Sequence, residues 1–569
     1  MGSRRAWRIA PRIPKEASDR LAPFSPLAAQ LLHNRGFTDA ASAQAFLARD
    51  ESLLHDPGLL PRMDRAVTRL HRAIQNGETI GVFGDFDADG VTGTALLARG
   101  LEALGARVIP YLPHRVDEGH GLNSQAVESL RSRGATLLVT VDCGVTSPAE
   151  VAQAAELGMD TIITDHHMPT SLLPAALAIV NPLLEGSTYP FPHLAGVGLA
   201  FKLVQGLYGH MGLKWDESLL QLAALGTITD VVPLQGENRY IVATGLRSLS
   251  TNPMPGLREL LRLAGMEDAD SLDTDTFAFV LGPRINAPGR LEHAMTSYKL
   301  LMARSQEEAM PMARELDRLN RERQDLTQHA LDASSQQLGT VDLTDDLLIL
   351  LWSEEFPPGI VGLVASKLVE TYYRPAIVVA LDGDEARGSG RSIPEFNLAL
   401  ALSECGDLFT RFGGHPQAAG FVMPRERLPA LKERILEVAR RELAHLSLEP
   451  ALHIDAHVRI ASLVGANLRF LRDLAPYGAG NPAPLFLTKG VHVVDAQRMG
   501  AQDQHLRLKL QHGGATWDAV AFGQAERWQD EWNTLDVVYT LGVDSWRGTD
   551  TFKLYVQDFQ PAEGAQVAI

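Results

Sequence analysis

The sequence predicts an α/β protein: a parallel-sheet domain, a long helix, a second and smaller α/β domain, and a C-terminal all-β barrel. Three observations carry this. From about residue 70 to 305, short β-branched and almost wholly apolar runs alternate with helical patterns, as strands buried on both faces do. A charged stretch, residues 305–338, keeps one narrow apolar stripe, which suits a helix bridging two domains. The last segment changes to period-two alternation, the mark of antiparallel strands.

Taken in order, residues 1–45 read as a polar, partly helical lead-in. A domain over 46–304 holds the strands "TIGVFG" (79–84), "RVIPYL" (107–112), "LLVTVD" (137–142), "TIITD" (161–165) and "ALAIVN" (176–181). In the connecting helix, 305–340, Ala309, Met312, Leu316, Leu319, Leu326 and Ala330 fall three or four apart with one longer gap. "LLILLWS" (347–353) opens the second domain, 341–445, which is glycine-rich at "RGSGRS" (387–392) and "RFGGHPQAAGF" (411–421). Residues 446–569 carry "HLRLKL" (505–510), "TWDAVAF" (516–522), "LDVVYTL" (535–541) and "TFKLYVQDF" (551–559), enough for a small closed barrel.

Composition bounds the function. At roughly 150 residues per domain, 569 residues give three or four domains. No apolar run approaches the ~18 residues that span a bilayer, and no apolar core follows the arginine-rich start to make a secretory signal. Two cysteines, Cys143 and Cys405, make no disulfide framework and fit a reducing, cytoplasmic home. A net charge of −17 argues against coating nucleic acid by bulk electrostatics, but not against a locally basic groove. Carboxylates that hold metal also inflate that count.

The acidic residues fall at strand tips. Asp85, Asp87 and Asp89 of "GDFDADG" (84–90) follow the first strand, and Asp142 ends the third. Asp165 ends the fourth, with His166 and His167 directly after it, while Asp230 follows the apolar run in "ALGTITDVVPL" (224–234). Open parallel sheets bind ligands outside the carboxyl ends of their strands. Burying several carboxylates without cations would cost several kcal/mol each, so divalent metal resolves the conflict. Oxygen ligands with one or two imidazoles suit two ions, manganese first and magnesium next; zinc would draw on more cysteine or histidine. Asp142, central in chain order, is the candidate bridge. Two such ions about 4 Å apart can generate a hydroxide and clamp both oxygens of an in-line displacement at phosphorus. Singly, a DxD is usually a turn and an HH pair a satisfied core feature; Cys143 reads as a small buried residue. Together, in order and at strand tips, these residues point to metal.

"GDFDADG", "VTVDCG", "TDHH" and "GTITDVVPL" resemble the four phosphoesterase motifs of the DHH superfamily. "HRVDEGHGLN" (114–123), "LGPRINAPGRL" (281–291), "GSGRS", "FGGHPQAAGF" and "LAPYGAGNPAPLF" (474–486) resemble its RecJ family of bacterial single-strand-specific 5′→3′ DNA exonucleases, over roughly residues 45–560. The resemblance implies a DHH domain, a connecting helix, a DHHA1 domain and an OB-fold. It implies Asp87, Asp89, Asp142, His166 and Asp230 as metal ligands, with Asp85 and His167 beside them as ligands or supports. Phe86 stands where many relatives have tyrosine and keeps the ring. The implied activity releases mononucleotides from single-stranded DNA in recombination and repair, with a single-strand-binding protein and a helicase as partners; a monomer is expected.

Glycines let backbone amides approach an anion closely. Ser389, Gly390 and Arg391, with Gly414 and His415, are therefore expected on substrate phosphates, and a 5′ phosphate held by Ser389 and Arg391 would set polarity. Arg115 and Arg290 are candidate backbone clamps. "AGVGLAF" (195–201) has Phe201 where a dinucleotide loop needs glycine, so it reads as a tightly packed helix start. In the barrel His505, Arg507 and Lys509 share one strand face, and Lys553 with Tyr555 another; each is either a single-strand surface or a solvated sheet face. Trp517, Trp528, Trp532 and Trp546 stack bases or fill the core, with core favoured for most. Two other functions stay open: a DHH phosphodiesterase for short RNA or cyclic dinucleotides, and a non-catalytic DNA-binding scaffold. The barrel and the length weigh against the first, the complete acidic set against the second.

Overall fold

A computed structural model describes residues 5–267, 272–339, 346–546 and 549–562, with side chains left undescribed at 543–546 and 549–551. The first domain is built on a five-stranded, all-parallel sheet. Its strands are β1 (Thr79–Gly84), β2 (Arg107–Tyr111), β3 (Ala135–Val141), β4 (Asp160–Thr164) and β5 (Ala178–Val180), in spatial order β2-β1-β3-β4-β5. Ile80, Val82, Val139 and Ile162 face one core, Phe83, Leu138 and Ile163 the other. That two-sided burial explains the nearly continuous apolar runs. After β5 the domain is helical, unlike the alternation expected up to residue 305. It includes α1 (Ala88–Ala103, between β1 and β2), α2 (Gly196–His210), α3 (Leu219–Thr229) and α4 (Gly282–Leu291).

The connecting helix, α5 (Gln306–Leu338), starts at Ser305, whose side chain accepts from the Glu308 amide. Ala309, Ala313 and Leu316 pack into the first domain's core; Ala330 and Leu338 pack with Val364, Leu368 and Val378 of the second. One helix thus fixes the two domains against each other across a cleft. The second domain has a mixed five-stranded sheet of β6 (Ile349–Ser353), β7 (Ala376–Asp382), β8 (Glu385–Arg391), β9 (Arg411–His415) and β10 (Ala418–Pro424), with α6 (Val361–Tyr372) after β6.

The C-terminal strands β11 (Phe486–Met499), β12 (His505–His512), β13 (Ala515–Ala521), β14 (Thr534–Trp546) and β15 (Thr549–Pro561) close into a barrel, because β11 pairs with both β12 and β14. β11 is absent from the sequence reading. It is bulged and mostly exposed beyond Thr488, so its side chains do not alternate cleanly. The N-terminal segment also differs from a separate lead-in. Residues Ala6–Ile9 pair in parallel with Ala451–Ile454, and Leu21, Leu31, Leu32 and Phe46 share a core with Leu474, Phe486 and Trp528. Trp528 and Trp532 pack on Phe559, and Trp517 lies against the same core; the Trp546 side chain is outside the described residues.

Arg239 locks this body to the first domain. Wholly buried, it donates to the carbonyls of Phe46 (2.7 Å), Leu474 (3.0 Å) and Ala475 (2.9 Å) and lies over the Phe46 ring. Burial pushes its pKa down to about 9, still protonated at neutral pH. Leu234, four residues past Asp230, donates its amide to Ala479 of "LAPYGAGNPAPLF" at 2.7 Å. The barrel's entry segment therefore buttresses the strand of chain leaving the acidic site.

Candidate metal centre and phosphate cleft

The carboxyl ends of β1, β3 and β4 bring the acidic residues together. Asp87 caps α1, its Oδ1 accepting from the amides of Asp89 (2.9 Å) and Gly90 (3.1 Å). Asp89 turns inward, and its oxygens accept from Gly196 (2.6 Å) and Val197 (2.8 Å) at the start of α2. Asp142 sits in the left-handed region, φ +62°, a conformation Asp tolerates better than most residues. His166 Nε2 lies 3.0 Å from Asp142 Oδ1, 3.7 Å from Asp230 Oδ2 and 4.0 Å from Asp89 Oδ2. Asp230 ends α3. Three groups of donors can each surround a cation: Asp142 with His166 and His167; Asp89 with His166 and Asp230; Asp85 with Asp87 and Asp142. Asp142 and His166 each belong to two of them, so adjacent sites would share ligands.

The donor set fits divalent cations. Asp85 Oδ1, Asp142 Oδ1 and Asp230 Oδ2 are buried and accept no aligned hydrogen bond, Asp142 Oδ1 facing only the His166 ring nitrogen at 3.0 Å, and a carboxylate tolerates this only beside a cation or a proton. Burial first, and then neighbouring carboxylates, push Asp89 up to about 7, Asp230 up to about 9 and Asp142 far above the ordinary range. Asp87 rises for the same reasons. Burial and the charge of His167 hold His166 down to about 4, so it is a neutral imidazole ready to ligate. Asp165 plays a different part. Its oxygens are taken by the His167 ring (2.7 Å) and the Val145 amide (2.9 Å), and it raises the His167 pKa. It orients His167 rather than facing the cluster.

With folded pKa values raised, the metal-free protein holds protons that the unfolded chain releases near pH 4. The stability these groups contribute is complete below that pH and is lost as pH rises through about 7 for Asp89 and about 9 for Asp230. Metal-free protein should melt progressively lower between those limits. Manganese, taking the place of the protons, should raise the midpoint at alkaline pH by on the order of 3 °C or more, read by scanning calorimetry with and without chelator.

Several supporting residues escaped the sequence reading. Asn286 Oδ1 accepts the Ala88 amide at 2.9 Å and ties α4 to the first acidic turn. His120 Nδ1 lies 3.0 Å from Asp85 Oδ2 and its ring packs on Phe86. Gly196 lets α2 reach the site, since a Cβ there would lie 2.4 Å from the Asp142 Cβ. Backbone amides and single side chains have no spacing signature; "LGPRINAPGRL", "HRVDEGHGLN" and "AGVGLAF" mark the right segments but not these residues.

Opposite the acidic cluster the cleft is basic. Arg115 lies over the Phe86 ring at 4.1 Å and donates to Gly289 O at 3.1 Å. Arg290 donates to Gly359 O of the second domain at 3.3 Å. Burial, then the charges of Arg115, Arg323 and Arg391, bring Arg290 down to about 9. Arg323 of α5 was not singled out by sequence; its Nε is buried without a partner. Arg391 Nη1 holds Ser389 Oγ at 3.2 Å, and both approach the first turn of α6 closely, where a Cβ on Gly362 would lie 3.0 Å from each. A helix N-terminus, a hydroxyl and converging guanidiniums make an anion site. Gly390, expected on the phosphate, turns the other way: it lies between Ser389 and Arg391 on β8 but faces Leu398 and Ile377 of the second domain's core, because side chains alternate across a strand. Gly414 and His415 lie exposed on β9, and the His415 charge acts on His166, so β9 looks across the cleft at the acidic cluster.

The barrel residues lie away from this convergence. On β12 Lys509 stands between Asp495 and Asp518, and Lys553 pairs in register with Asp518, so acid interleaves that row. Arg507 is exposed between Gln497 and Val520. His505, Phe522 and Tyr555 form an aromatic group, with Phe522 stacked on Tyr555 at 6.3 Å and 56% exposed.

Comparison with known proteins places these features in a lineage. Residues 79–227 match the model of the DHH family, N-terminal domain; 345–441 match the DHHA1 domain; 454–558 match the RecJ OB domain. The chain is 38% identical over 544 residues to the single-stranded-DNA-specific exonuclease RecJ of Bacillus subtilis, covering 95% of this chain and 68% of that protein. It is 33% identical to the protein of the same name from Escherichia coli, covering 96% and 98% of the two chains. Among solved structures, RecJ of Thermus thermophilus in complex with Mn2+ superposes with a TM-score of 0.83 at 33% identity, over 98% of this chain and 80% of that one. The same protein with Mg2+ gives 0.77 at 31% identity, over 98% and 79%.

Proposed function

The chain belongs to the RecJ family of single-stranded-DNA-specific exonucleases, and from that premise we propose that it is a metal-dependent 5′→3′ exonuclease releasing mononucleotides from single-stranded DNA in recombination and repair. The observation that carries this is the set of buried carboxylate oxygens on Asp85, Asp142 and Asp230 that accept no aligned hydrogen bond, gathered at strand tips and faced by a basic cleft.

Asp87, Asp89, Asp142, His166 and Asp230 would hold two Mn2+ or Mg2+ ions, with Asp85 and His167 at the margin of the site. Bound there, such ions supply charge that activates water and stabilises the leaving oxygen of an in-line displacement. The protein's own residues do the rest. Arg115 and Arg290 hold backbone phosphates so that the scissile bond stays over the cluster. Ser389 and Arg391, on β8 facing the first turn of α6, receive a terminal 5′ phosphate and so count one nucleotide into the site. Gly414 and His415 close over the phosphate from β9. Burial keeps His166 neutral, and Asp165 holds His167 in orientation. His505, Arg507, Lys509, Lys553 and Tyr555 would guide the incoming strand over the barrel.

Partners extend the same reading: a single-strand-binding protein and a helicase, serving a monomeric, cytoplasmic enzyme. Among the described residues no helix is long and apolar enough to cross a membrane. Cleavage of 5′-labelled single strand, duplex and dinucleotide, in manganese or chelator, tests the proposal. Metal-dependent mononucleotide release from the single strand is expected. Cleavage of the dinucleotide alone, or none in any metal, would contradict it.

A further inference from the structure

Phe279 is 72% exposed, more than any other large apolar side chain among the described residues. It stands on a π-helical stretch, Thr276–Leu281, that runs directly into α4. π-helical insertions in helices concentrate at functional sites, because the extra residue re-phases a face. The faces here are distinct. Phe277, Leu281 and Ile285 are fully buried in the first domain's core. Arg284 turns to the connecting helix, its Nε 3.0 Å from Asp317 and its Nη1 2.8 Å from Val280 O. The remaining face carries Phe279, Pro283, Asn286 and Arg290, spaced four, three and four residues apart. Asn286 holds the amide at the first acidic turn, and Arg290 reaches the second domain's Gly359. That face therefore fronts the cleft. At its Phe279 end the helix is pressed on the metal side of the site: a Cβ at Gly282 would lie 2.5 Å from Thr229 Cγ2, next to Asp230.

We propose that Phe279 is a stacking platform for a base of the single strand, downstream of the bond being cut. The inference rests on the exonuclease reading above. Eleven residues of helix separate the ring from Arg290, roughly 15 Å, too far for the terminal nucleotide held at Ser389 and Arg391. An aromatic face accepts every base, so the contact selects for strand length and single-strandedness rather than for sequence. Val231, next to Asp230, is 70% exposed with φ +61° and presents a second apolar side chain on this rim.

The test compares wild type, F279A and F279W on a long oligothymidylate and on a 5′-phosphorylated dinucleotide, with manganese binding measured by calorimetry. Wild-type protein that cleaves neither substrate defeats the exonuclease reading itself. If wild type is active, F279A should raise KM for the long strand about 10-fold, with a smaller change for the dinucleotide and manganese affinity retained. F279W should restore the long-strand KM, and its fluorescence should quench on adding the strand. Equal KM values for wild type and F279A on the long strand would overturn the inference. So would a loss of the same size on both substrates, which would mark Phe279 as structural only.

Discussion

Asp142→Asn loses at least about 10³-fold in kcat on single-stranded DNA while remaining folded. Asparagine has the same shape and adopts the left-handed conformation, φ +62°, as readily as aspartate, so the backbone at this position has no reason to move. What disappears is the charge that two of the three candidate cation groups share. The metal-free variant should melt no lower than metal-free wild type, because one member of a mutually repelling set is gone. Manganese should then stabilise it much less than it stabilises wild type. Retention of a tenth or more of the activity, with manganese stabilisation intact, would remove Asp142 from the centre of the account.

Arg391→Gln separates the two ends of the cleft. Its guanidinium is steadied by Ser389 Oγ and by Gly390 O at 2.8 Å, beside the first turn of α6. Loss of one charge-assisted pair costs about 1.5–3 kcal/mol, which is roughly 10- to 150-fold in kcat/KM. That loss should fall on 5′-phosphorylated strands and largely spare 5′-hydroxyl strands. Steady-state kinetics on paired substrates checks it. An equal loss on both would place Arg391 on the backbone path rather than at the 5′ end.

The parts of this molecule legible in its sequence are those with a period or a charge. Four strands of the parallel sheet stand out because burial on both faces leaves them almost no polar residues; the edge strand β2 is half-exposed and shows through its β-branched and aromatic residues. The acidic groups stand out because strand tips are poor places for unpaired charge. The connecting helix shows through its stripe, and its ends indeed lie in two different cores. Other features have no such imprint. The Ala6–Ile9 strand finds its partner more than four hundred residues later, at Ala451–Ile454, and no local pattern encodes that distance. Asp89 is fixed by two backbone amides, and Ala88 by a lone asparagine, Asn286. The barrel's basic face was half legible. Period two put Lys509 and Lys553 outside, but only the register shows that Asp495 and Asp518 alternate with them.

The central proposal is that Asp87, Asp89, Asp142, His166 and Asp230 would hold a pair of divalent cations. Anomalous diffraction at the manganese edge, from crystals grown with Mn2+, tests it most directly. Two peaks in the cluster, both within ligand distance of Asp142, are the predicted result. A single peak remote from Asp142, or none in the cluster at saturating manganese, would contradict it.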